Sequence, residues 1–329
     1  MRRTRYNPAN FVCIEPVMEL IRGIQNIRAC HHGCVLTIGN FDGVHRGHQV
    51  LLQNLKLKGK ELGLPTVVMI FEPQPLEFFI GDKAPARLTR LRDKVKYLAD
   101  SGIDYLLCVE FNQHFASLTP TEFVSDLLVD KLGVKYLAIG DDFRFGKNRM
   151  GDFAFLQQAG EEFGFEVADT ESFCDSGLRI SSTAIRKARL VNDLELAENL
   201  LGHTYRISGR VVHGNQLGRT IGFPTANLPL KRLVTPVTGV YAVEVYGLGD
   251  KPLPGVANIG TRPTVSGKGT QLEVHLIDAT MDLYGRHIDV VLRKKLRDEQ
   301  RFASLEALKE QIANDVIAAR EYLTAIGIR

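Results

Sequence analysis

The apolar residues between positions 34 and 170 alternate between short continuous runs and helical spacing. The runs predict strands at CVLTIG (34–39), TVVMIF (66–71), DYLLCVEF (104–111), YLAIG (136–140) and FEVADT (165–170). The helical spacing predicts connecting helices near 46–63, 89–101, 120–132 and 152–163. Strands that alternate with helices are typical of a parallel sheet covered on both faces. We therefore expect a first domain of the α/β class with a Rossmann-like sheet.

The hydrophobic pattern changes after Arg186. The segment NDLELAENLLG (192–202) predicts a short helix with Asn192 as its N-cap. Strand-like alternation interrupted by glycine and proline then follows in the segments 204–214, 239–247, 254–260, 271–278 and 287–296. Short strands of this kind are typical of a small barrel. A last amphipathic helix is predicted from Ser304 to Ala325.

These changes of pattern also predict the domain boundaries. We expect a first domain over 18–188, a linker helix over 189–203 and a second domain over 204–329. A chain of 329 residues exceeds the usual size of one domain, which favours two separate cores. The apolar residues among positions 1–17 follow neither helical nor strand spacing, and we expect this segment to lie outside the fold.

The amino-acid composition excludes some classes of binding partner and indicates the cellular compartment. Lys and Arg number 41 against 38 Asp and Glu, an excess too small to favour nucleic acid or an anionic membrane. No apolar run approaches the roughly 20 residues that a membrane helix needs. Five scattered cysteines, an odd number, favour reduced thiols over a disulfide scaffold. We expect a cytoplasmic protein with neither nucleic acid nor membrane as a partner.

The stretch TIGNFDGVHRGHQVLL (37–52) joins the first predicted strand to the first predicted helix. Ligands bind at this end of the strands in open α/β sheets. Gly39 and Gly43 permit a close backbone approach, and His45 and His48 are three residues apart in the first helical turn. This HxGH pair at a helix N-terminus suits the phosphates of a nucleoside triphosphate. Two capping histidines without a ligand are the alternative.

A second candidate motif, RISSTAIR (179–186), follows the last predicted strand of the same sheet. Its hydroxyl residues Ser181, Ser182 and Thr183 are N-cap candidates. Arg186, one turn later, offers a guanidinium fork for phosphate oxygens. Together with the HxGH pair, the motif suits a pyrophosphate leaving group, which needs positive charge from both sides.

The second domain contains a glycine-rich connection, GRVVHGNQLGRTIGFPTANL (209–228). Gly218 and Gly222 are among the glycines that let backbone N–H groups approach an anion. Thr225 and Asn227 offer two hard oxygen ligands beside this loop, as a Mg²⁺–nucleotide requires. The strand QLEVHLID offers Glu273 as a proton acceptor for a hydroxyl substrate. Alternation alone leaves an outward, solvated Glu273 equally open.

Several of these motifs together resemble one family. GNFDGVHRGH (39–48), GDDFRFG (140–146) and ISSTAIR (180–186) are similar to the FMN adenylyltransferase half of bacterial bifunctional riboflavin kinase/FAD synthetases, a group of HxGH nucleotidyltransferases. GFPTAN (222–227) and the Glu273 strand followed by DLYG resemble the riboflavin kinase half. The likeness covers about 18–329. It implies an α/β Rossmann-like domain, then a small six-stranded β-barrel kinase domain with a C-terminal helix.

The resemblance also implies residue roles. In the first domain it implies ATP binding and catalysis by Gly39, Phe41, Asp42, Gly43, His45, His48, Ser182, Thr183 and Arg186. In the barrel it implies ATP binding by Gly218, Arg219, Gly222, Thr225 and Asn227, with Thr225 and Asn227 at Mg²⁺ and Glu273 as the base. By the same likeness Asp142 and Phe143 lie near the nucleotide or the flavin, and Arg297 in LRDEQRF contacts the flavin. The two prolines and the aromatic residues of FEPQPLEFF independently suggest a flavin wall that includes Phe71. For Phe71 a packed loop is the alternative. Asp142 stands where many members have an asparagine, and a carboxylate cannot donate the amide's hydrogen bond.

The function implied is a two-step synthesis of flavin cofactors. The barrel would phosphorylate riboflavin to FMN, and the first domain would adenylylate FMN to FAD and release pyrophosphate, each step using ATP with Mg²⁺. No obligate protein partner is implied. A nucleotidyltransferase for another acceptor would leave GFPTAN unexplained. A non-enzymatic flavin- or RNA-binding protein would not need His45, Arg186 and Glu273 intact.

Overall fold

The computed structural model describes residues 18–140, 142–170, 173–175, 177–214, 217–230, 237–264, 267–279 and 281–328. Residues 1–17, which we expect to lie outside the fold, are not among them. The chain divides into two compact units, each assembled from several segments. The first comprises residues up to Asn40, Val50–Pro75 and Val95–Glu171, and the second comprises Phe41–Gln49, Leu76–Lys94 and the chain from Ser172 onward.

The strands, in chain order, are β1 (Glu19–Arg22), β2 (Cys34–Ile38), β3 (Thr66–Glu72), β4 (Tyr105–Glu110), β5 (Val134–Ile139), β6 (Glu166–Asp169), β7 (Cys174–Asp175), β8 (Leu178–Arg179), β9 (Arg206–Arg210), β10 (Ala226–Pro229), β11 (Gly239–Tyr246), β12 (Leu253–Thr264), β13 (Gly267–Leu276) and β14 (His287–Arg297). The α-helices are α1 (Arg46–Leu62), α2 (Pro75–Ile80), α3 (Leu91–Asp100), α4 (Gln113–Ala116), α5 (Pro120–Glu122), α6 (Phe153–Phe163), α7 (Ser182–Leu190), α8 (Leu194–Leu201), α9 (Leu217–Thr220) and α10 (Leu305–Ala325). Helix α5 continues into a π-helical stretch, Phe123–Lys131. No helix in the described ranges is long and apolar enough to cross a membrane.

Six parallel strands form the sheet of the first unit, in the order β1-β4-β3-β2-β5-β6. The central strand β2 is buried along its whole length. Within it, Leu36 lies between Val67 of β3 and Leu137 of β5. The carboxyl ends of β2 and β5 are therefore neighbours at the point where the strand order reverses, the usual ligand position in such sheets. The five strands predicted for this sheet and its Rossmann-like character are confirmed.

A nearly closed antiparallel barrel forms most of the second unit. Its six strands follow the order β10-β13-β12-β11-β14-β9. A bridge between Val212, just after β9, and Asn227 of β10 brings the two ends of this sheet together. Helix α10 packs Ala319 and Leu323 against Val240 and its neighbours. The predicted six-stranded barrel with a C-terminal helix is confirmed.

Two details of the local predictions were wrong or incomplete. The N-cap of α8 is Asp193, whose side chain accepts a hydrogen bond from the Leu196 N–H, and not Asn192. Asn192 instead has a left-handed backbone (φ 58°) and accepts a hydrogen bond from the Tyr241 hydroxyl at 2.9 Å. Edge strand β1 was not predicted, because four residues that include Glu19 and Arg22 show no clear period.

Arg189, near the end of α7, is a buried cation in the apolar core of the second unit. It is 1% exposed, and its guanidinium carbon lies 4.0 Å from the ring centre of Tyr205. None of its three side-chain nitrogens has a hydrogen-bond partner among the described residues, and burial lowers its pKa. Desolvating an unpaired charge costs several kcal/mol, whereas a buried cation–π contact contributes about 2 kcal/mol. The charge of Arg189 therefore destabilises this core.

We expect Arg189→Met to raise the free energy of unfolding by about 1–3 kcal/mol, because methionine fills similar space without a buried charge. Urea denaturation of the full chain measures the change. Lys187→Met, at an exposed position of the same helix, serves as the control and should stay within about 0.5 kcal/mol of wild type. A loss of stability confined to Arg189→Met would show instead that the cation–π contact outweighs desolvation.

Candidate active sites

The segment that follows β2 forms a strained turn. Phe41, Gly43 and Val44 have φ angles of 46°, 88° and 41°, all in the left-handed region. Glycine adopts this region readily, whereas phenylalanine and the β-branched valine do so at a cost. Such strain persists only where surrounding contacts enforce it, and it is concentrated at functional sites.

The Asp42 carboxylate holds this turn in place. It is 2% exposed and accepts hydrogen bonds from the N–H groups of Leu88 (2.9 Å) and Thr89 (3.0 Å) and from the Thr89 hydroxyl (3.2 Å). Arg186 Nη2 also donates to it, at 2.6 Å. Arg186 Nε donates to the Ala86 carbonyl at 2.5 Å. Two protein contacts therefore orient the guanidinium group of Arg186.

His45 and His48 stack at the beginning of α1, with ring centres 3.7 Å apart and planes inclined by 17°. Gly47 permits this arrangement, because a Cβ there would lie 3.2 Å from His45 Nδ1. Burial lowers the pKa of His45 from 6.5 to about 4, although nearby Asp42 acts in the opposite direction. Burial, His45 and Lys94 lower the pKa of His48 well below its usual range. Both imidazoles are therefore neutral at pH 7.

The ISSTAIR motif forms the first turns of α7 in the same unit. Ser181 is the N-cap, and its hydroxyl accepts a hydrogen bond from the Ala184 N–H at 3.2 Å. Ser182 donates its hydroxyl to the Asp42 carbonyl at 2.8 Å, and Thr183 is exposed. Asp42 is thus directly connected to Ser182 and Arg186 of α7, about 140 positions later in the sequence.

The other residues that the sequence predicts for nucleotide or flavin binding in the α/β domain lie in the first unit. Gly39 donates its N–H to the Met69 carbonyl at 3.1 Å, directly after β2. Asp142 is exposed in the turn after β5, where the Phe143 N–H donates to the Gly140 carbonyl at 3.0 Å. Phe71 is 8% exposed, with its ring in the core against Phe111 and Phe115. Most of the Phe71 side chain is therefore unavailable to a ligand in this conformation.

A cavity of about 330 Å³ lies between the outer face of the barrel wall and the first turns of α10. Its lining includes Gly218, Thr225, Asn227, Asn258, Glu273 and Arg297. Asn227 of β10 and Asn258 of β12 both lie opposite Glu273 of β13. Residues directly opposite on paired strands point to the same face, with Cβ atoms about 5 Å apart. Glu273 thus lines the cavity and is half-buried on the outer face of the barrel wall, whereas its neighbours Leu272 and Val274 lie in the barrel core.

Neighbouring side chains hold Asn227 rigidly. It is 5% exposed, its Oδ1 accepts a hydrogen bond from Gln271 at 2.5 Å, and its Nδ2 donates to the Thr225 carbonyl at 3.4 Å. The turn before β10 contains Gly222 with φ 90°. The side chain of Arg219 lies outside the described part of the structure.

Arg297 also lines the cavity, opposite Val240 on the neighbouring strand. Its guanidinium group makes three hydrogen bonds of 2.8–3.1 Å to Asp315 of α10, which is 5% exposed. The ring centre of Phe302 lies 5.6 Å from the guanidinium carbon. Sequence reasoning did not find Asn258, Asp315 or Phe302. The sequence feature that could have pointed to this part of the site is Asp315, because a charged residue on the apolar stripe of the last predicted helix is unusual.

Both halves of the chain match known family models. Residues 27–184 match that of FAD synthetase, and residues 201–323 match that of riboflavin kinase. The bifunctional riboflavin kinase/FMN adenylyltransferase of Escherichia coli (strain K12) is 67% identical over 306 residues, which cover 93% of this chain and 98% of that protein. The chain belongs to this family. It is an enzyme with riboflavin kinase and FMN adenylyltransferase activities, which give FMN and FAD, as the resemblance implied.

Two further comparisons extend over nearly the whole enzyme. The protein of the same name from Haemophilus influenzae (strain Rd) is 52% identical over 308 residues, covering 94% of this chain and 100% of that protein. The crystal structure of a protein from Streptococcus pneumoniae, described as a macrolide-efflux protein, aligns with a TM-score of 0.74 at 30% identity. That alignment covers 92% of this chain and 99% of the other. The likeness to it concerns the fold.

The low pKa of His45 predicts a pH-dependent stability. The unfolded chain takes up a proton near pH 6.5 and the folded chain only near pH 4, so His45 destabilises the fold progressively as the pH falls between these values. Between pH 7.5 and pH 5, the free energy of unfolding of the wild-type protein should fall by about 2 kcal/mol more than that of His45→Gln. Urea denaturation at the two pH values measures this difference. Equal losses in the two proteins would mean that His45 titrates normally in the folded state.

Proposed function

We propose that the two reactions use the two groups of residues described above. The barrel cavity, with Glu273, would transfer the γ-phosphoryl group of ATP to riboflavin. The HxGH segment, with Arg186, would bind the ATP that adenylylates FMN. The observation that carries the kinase assignment is the position of Glu273, which faces the cavity between two amide side chains.

In the kinase reaction we assign Glu273 as the general base. The ribityl hydroxyl gives its proton to the carboxylate while its oxygen attacks the γ-phosphorus, and ADP leaves. Gly218, Arg219 and Gly222 would bind the ATP phosphates through the glycine-rich connection. Arg297, held by Asp315, would contact the flavin.

The chemistry of the donor set supports Mg²⁺ as the metal in the barrel. Thr225 offers a hydroxyl and Asn227 an amide oxygen, and both line the cavity. Mg²⁺ prefers such oxygen ligands and completes its coordination with phosphates and water, so a full protein cage is not required. The metal would neutralise charge on the phosphates.

In the adenylyl transfer, a phosphate oxygen of FMN attacks the α-phosphorus of ATP and pyrophosphate leaves. The phosphate is already largely ionised at neutral pH, so no base is needed. His45, His48 and Arg186 would stabilise the leaving pyrophosphate. The phosphates bring negative charge to two neutral imidazoles, which favours their protonation when ATP is bound.

Further roles are proposed for the remaining predicted residues. Backbone or hydroxyl groups of Gly39, Phe41, Gly43, Ser182 and Thr183 would contact ATP, with Asp42 holding Arg186. Asp142 and Phe143, in an accessible turn, would contact the flavin. For Phe71 this role requires movement of its ring out of the core.

The domain limits, the compartment and the absence of a partner also remain proposals. The limits 18–188, 189–203 and 204–329 agree closely with the two family matches, 27–184 and 201–323. Within the described ranges no disulfide joins the cysteines at 30, 34, 108 and 174, which supports a reducing, cytoplasmic location. No obligate protein partner is proposed.

His48→Asn should lower the rate of FAD formation from FMN by about 100-fold, because one group that stabilises the leaving pyrophosphate is lost. FMN formation from riboflavin should remain within about twofold of wild type. Chromatography of both products measures the effect, with His114→Asn, at an exposed position, as the control. A parallel fall of both products in a folded variant would contradict the assignment.

Glu273→Gln should have the opposite selectivity. It keeps the shape of the side chain but removes the base, so FMN formation should fall by about 100-fold or more. FAD formation from supplied FMN should be unchanged. Glu310→Gln, on the exposed side of α10, is the matched control. Undiminished FMN formation in Glu273→Gln would remove Glu273 from the mechanism.

A further inference from the structure

Asn258 is a polar side chain in the kinase cavity with an unsatisfied acceptor. It lies opposite Glu273 on the neighbouring strand β12. Its Oδ1 is buried and has no hydrogen-bond partner among the described residues. Its Nδ2 makes a single long contact of 3.5 Å with Glu299 Oε1. Asn258 thus differs from Asn227, whose oxygen accepts a hydrogen bond from Gln271.

An unpaired acceptor in this position is costly. A buried oxygen without a donor costs about 1–3 kcal/mol, whereas an apolar side chain of similar size would avoid that cost. An apolar residue is compatible with this part of the barrel wall, because Val240, directly opposite on β11, lines the same cavity. A molecule that occupies the cavity can supply the donor for Asn258 Oδ1.

Riboflavin offers suitable donors in its ribityl hydroxyls. Glu273 is proposed to take the proton of the terminal hydroxyl, and a residue opposite it on the next strand is about 5 Å away. The group of the substrate within reach of Asn258 is then another hydroxyl of the same chain.

We propose that Asn258 is a substrate-binding residue of the kinase site, whose Oδ1 accepts a hydrogen bond from a ribityl hydroxyl. Asn227 and Asn258 flank Glu273 on opposite sides, and we assign the first to the nucleotide and the second to the alcohol. This inference rests on the proposed role of Glu273.

The test uses Asn258→Leu, which keeps the size of the side chain, and Asn258→Ala, which adds no bulk. In both, the KM for riboflavin should rise about tenfold, as expected for one lost hydrogen bond to a buried group. The KM for ATP in FMN formation should remain within about twofold. The unfolding midpoint in urea reports that the variants are folded, and Asn314→Leu, exposed on α10, is the control.

Three riboflavin analogues, each lacking one of the non-reacting ribityl hydroxyls, separate binding from a structural effect. At least one analogue should bind to the wild-type enzyme about tenfold more weakly than riboflavin does. The same analogue should bind to Asn258→Ala as tightly as riboflavin does, because the hydrogen-bond partner of the missing hydroxyl is already absent from that variant. The proposal is overturned if the KM for riboflavin is unchanged in both variants. It is also overturned if each of the three analogues loses as much affinity, relative to riboflavin, in Asn258→Ala as in the wild-type enzyme. Failure of Glu273→Gln to reduce FMN formation would refute the proposed site itself, which is a distinguishable result.

Discussion

The buried carboxylate of Asp42 is the interaction on which the HxGH segment depends. It joins three segments that are distant in sequence: the turn after β2, the backbone at Leu88 and Thr89, and the guanidinium group of Arg186. Pairing and hydrogen bonds offset the cost of burying a charge, and Asp42 has both. Those bonds compensate for the left-handed backbone of Phe41 and Val44.

The histidine pair illustrates a second consequence of burial. Burial lowers the pKa of both stacked imidazoles, and His45 lowers that of His48 further, so both are neutral in the free enzyme. A neutral pair does not bind anions indiscriminately. In the proposed reaction the positive charge develops only beside a polyphosphate, where it stabilises the departure of pyrophosphate.

The barrel positions its polar groups by strand register rather than by burial of charge. Pairing between β10, β13 and β12 places Asn227, Glu273 and Asn258 in one row on one face. Each strand contributes one residue, and hydrogen bonds along the ladder hold the spacing. The cavity lining combines this polar row with apolar residues such as Val240 and Val256.

The sequence by itself determined the class of both domains and the principal candidate residues. Apolar runs at strand and helix spacing predicted five strands of the parallel sheet, and HxGH and GFPTAN are local motifs whose chemistry depends on residue type and spacing. What required tertiary structure was long-range pairing. The hydrogen bonds to the Asp42 carboxylate, the core position of Phe71, the orientation of Glu273 and the unsatisfied oxygen of Asn258 all depend on residues at least 15 positions away. Local periodicity carries no information on such contacts, because strand register and packing arise only when the whole chain folds.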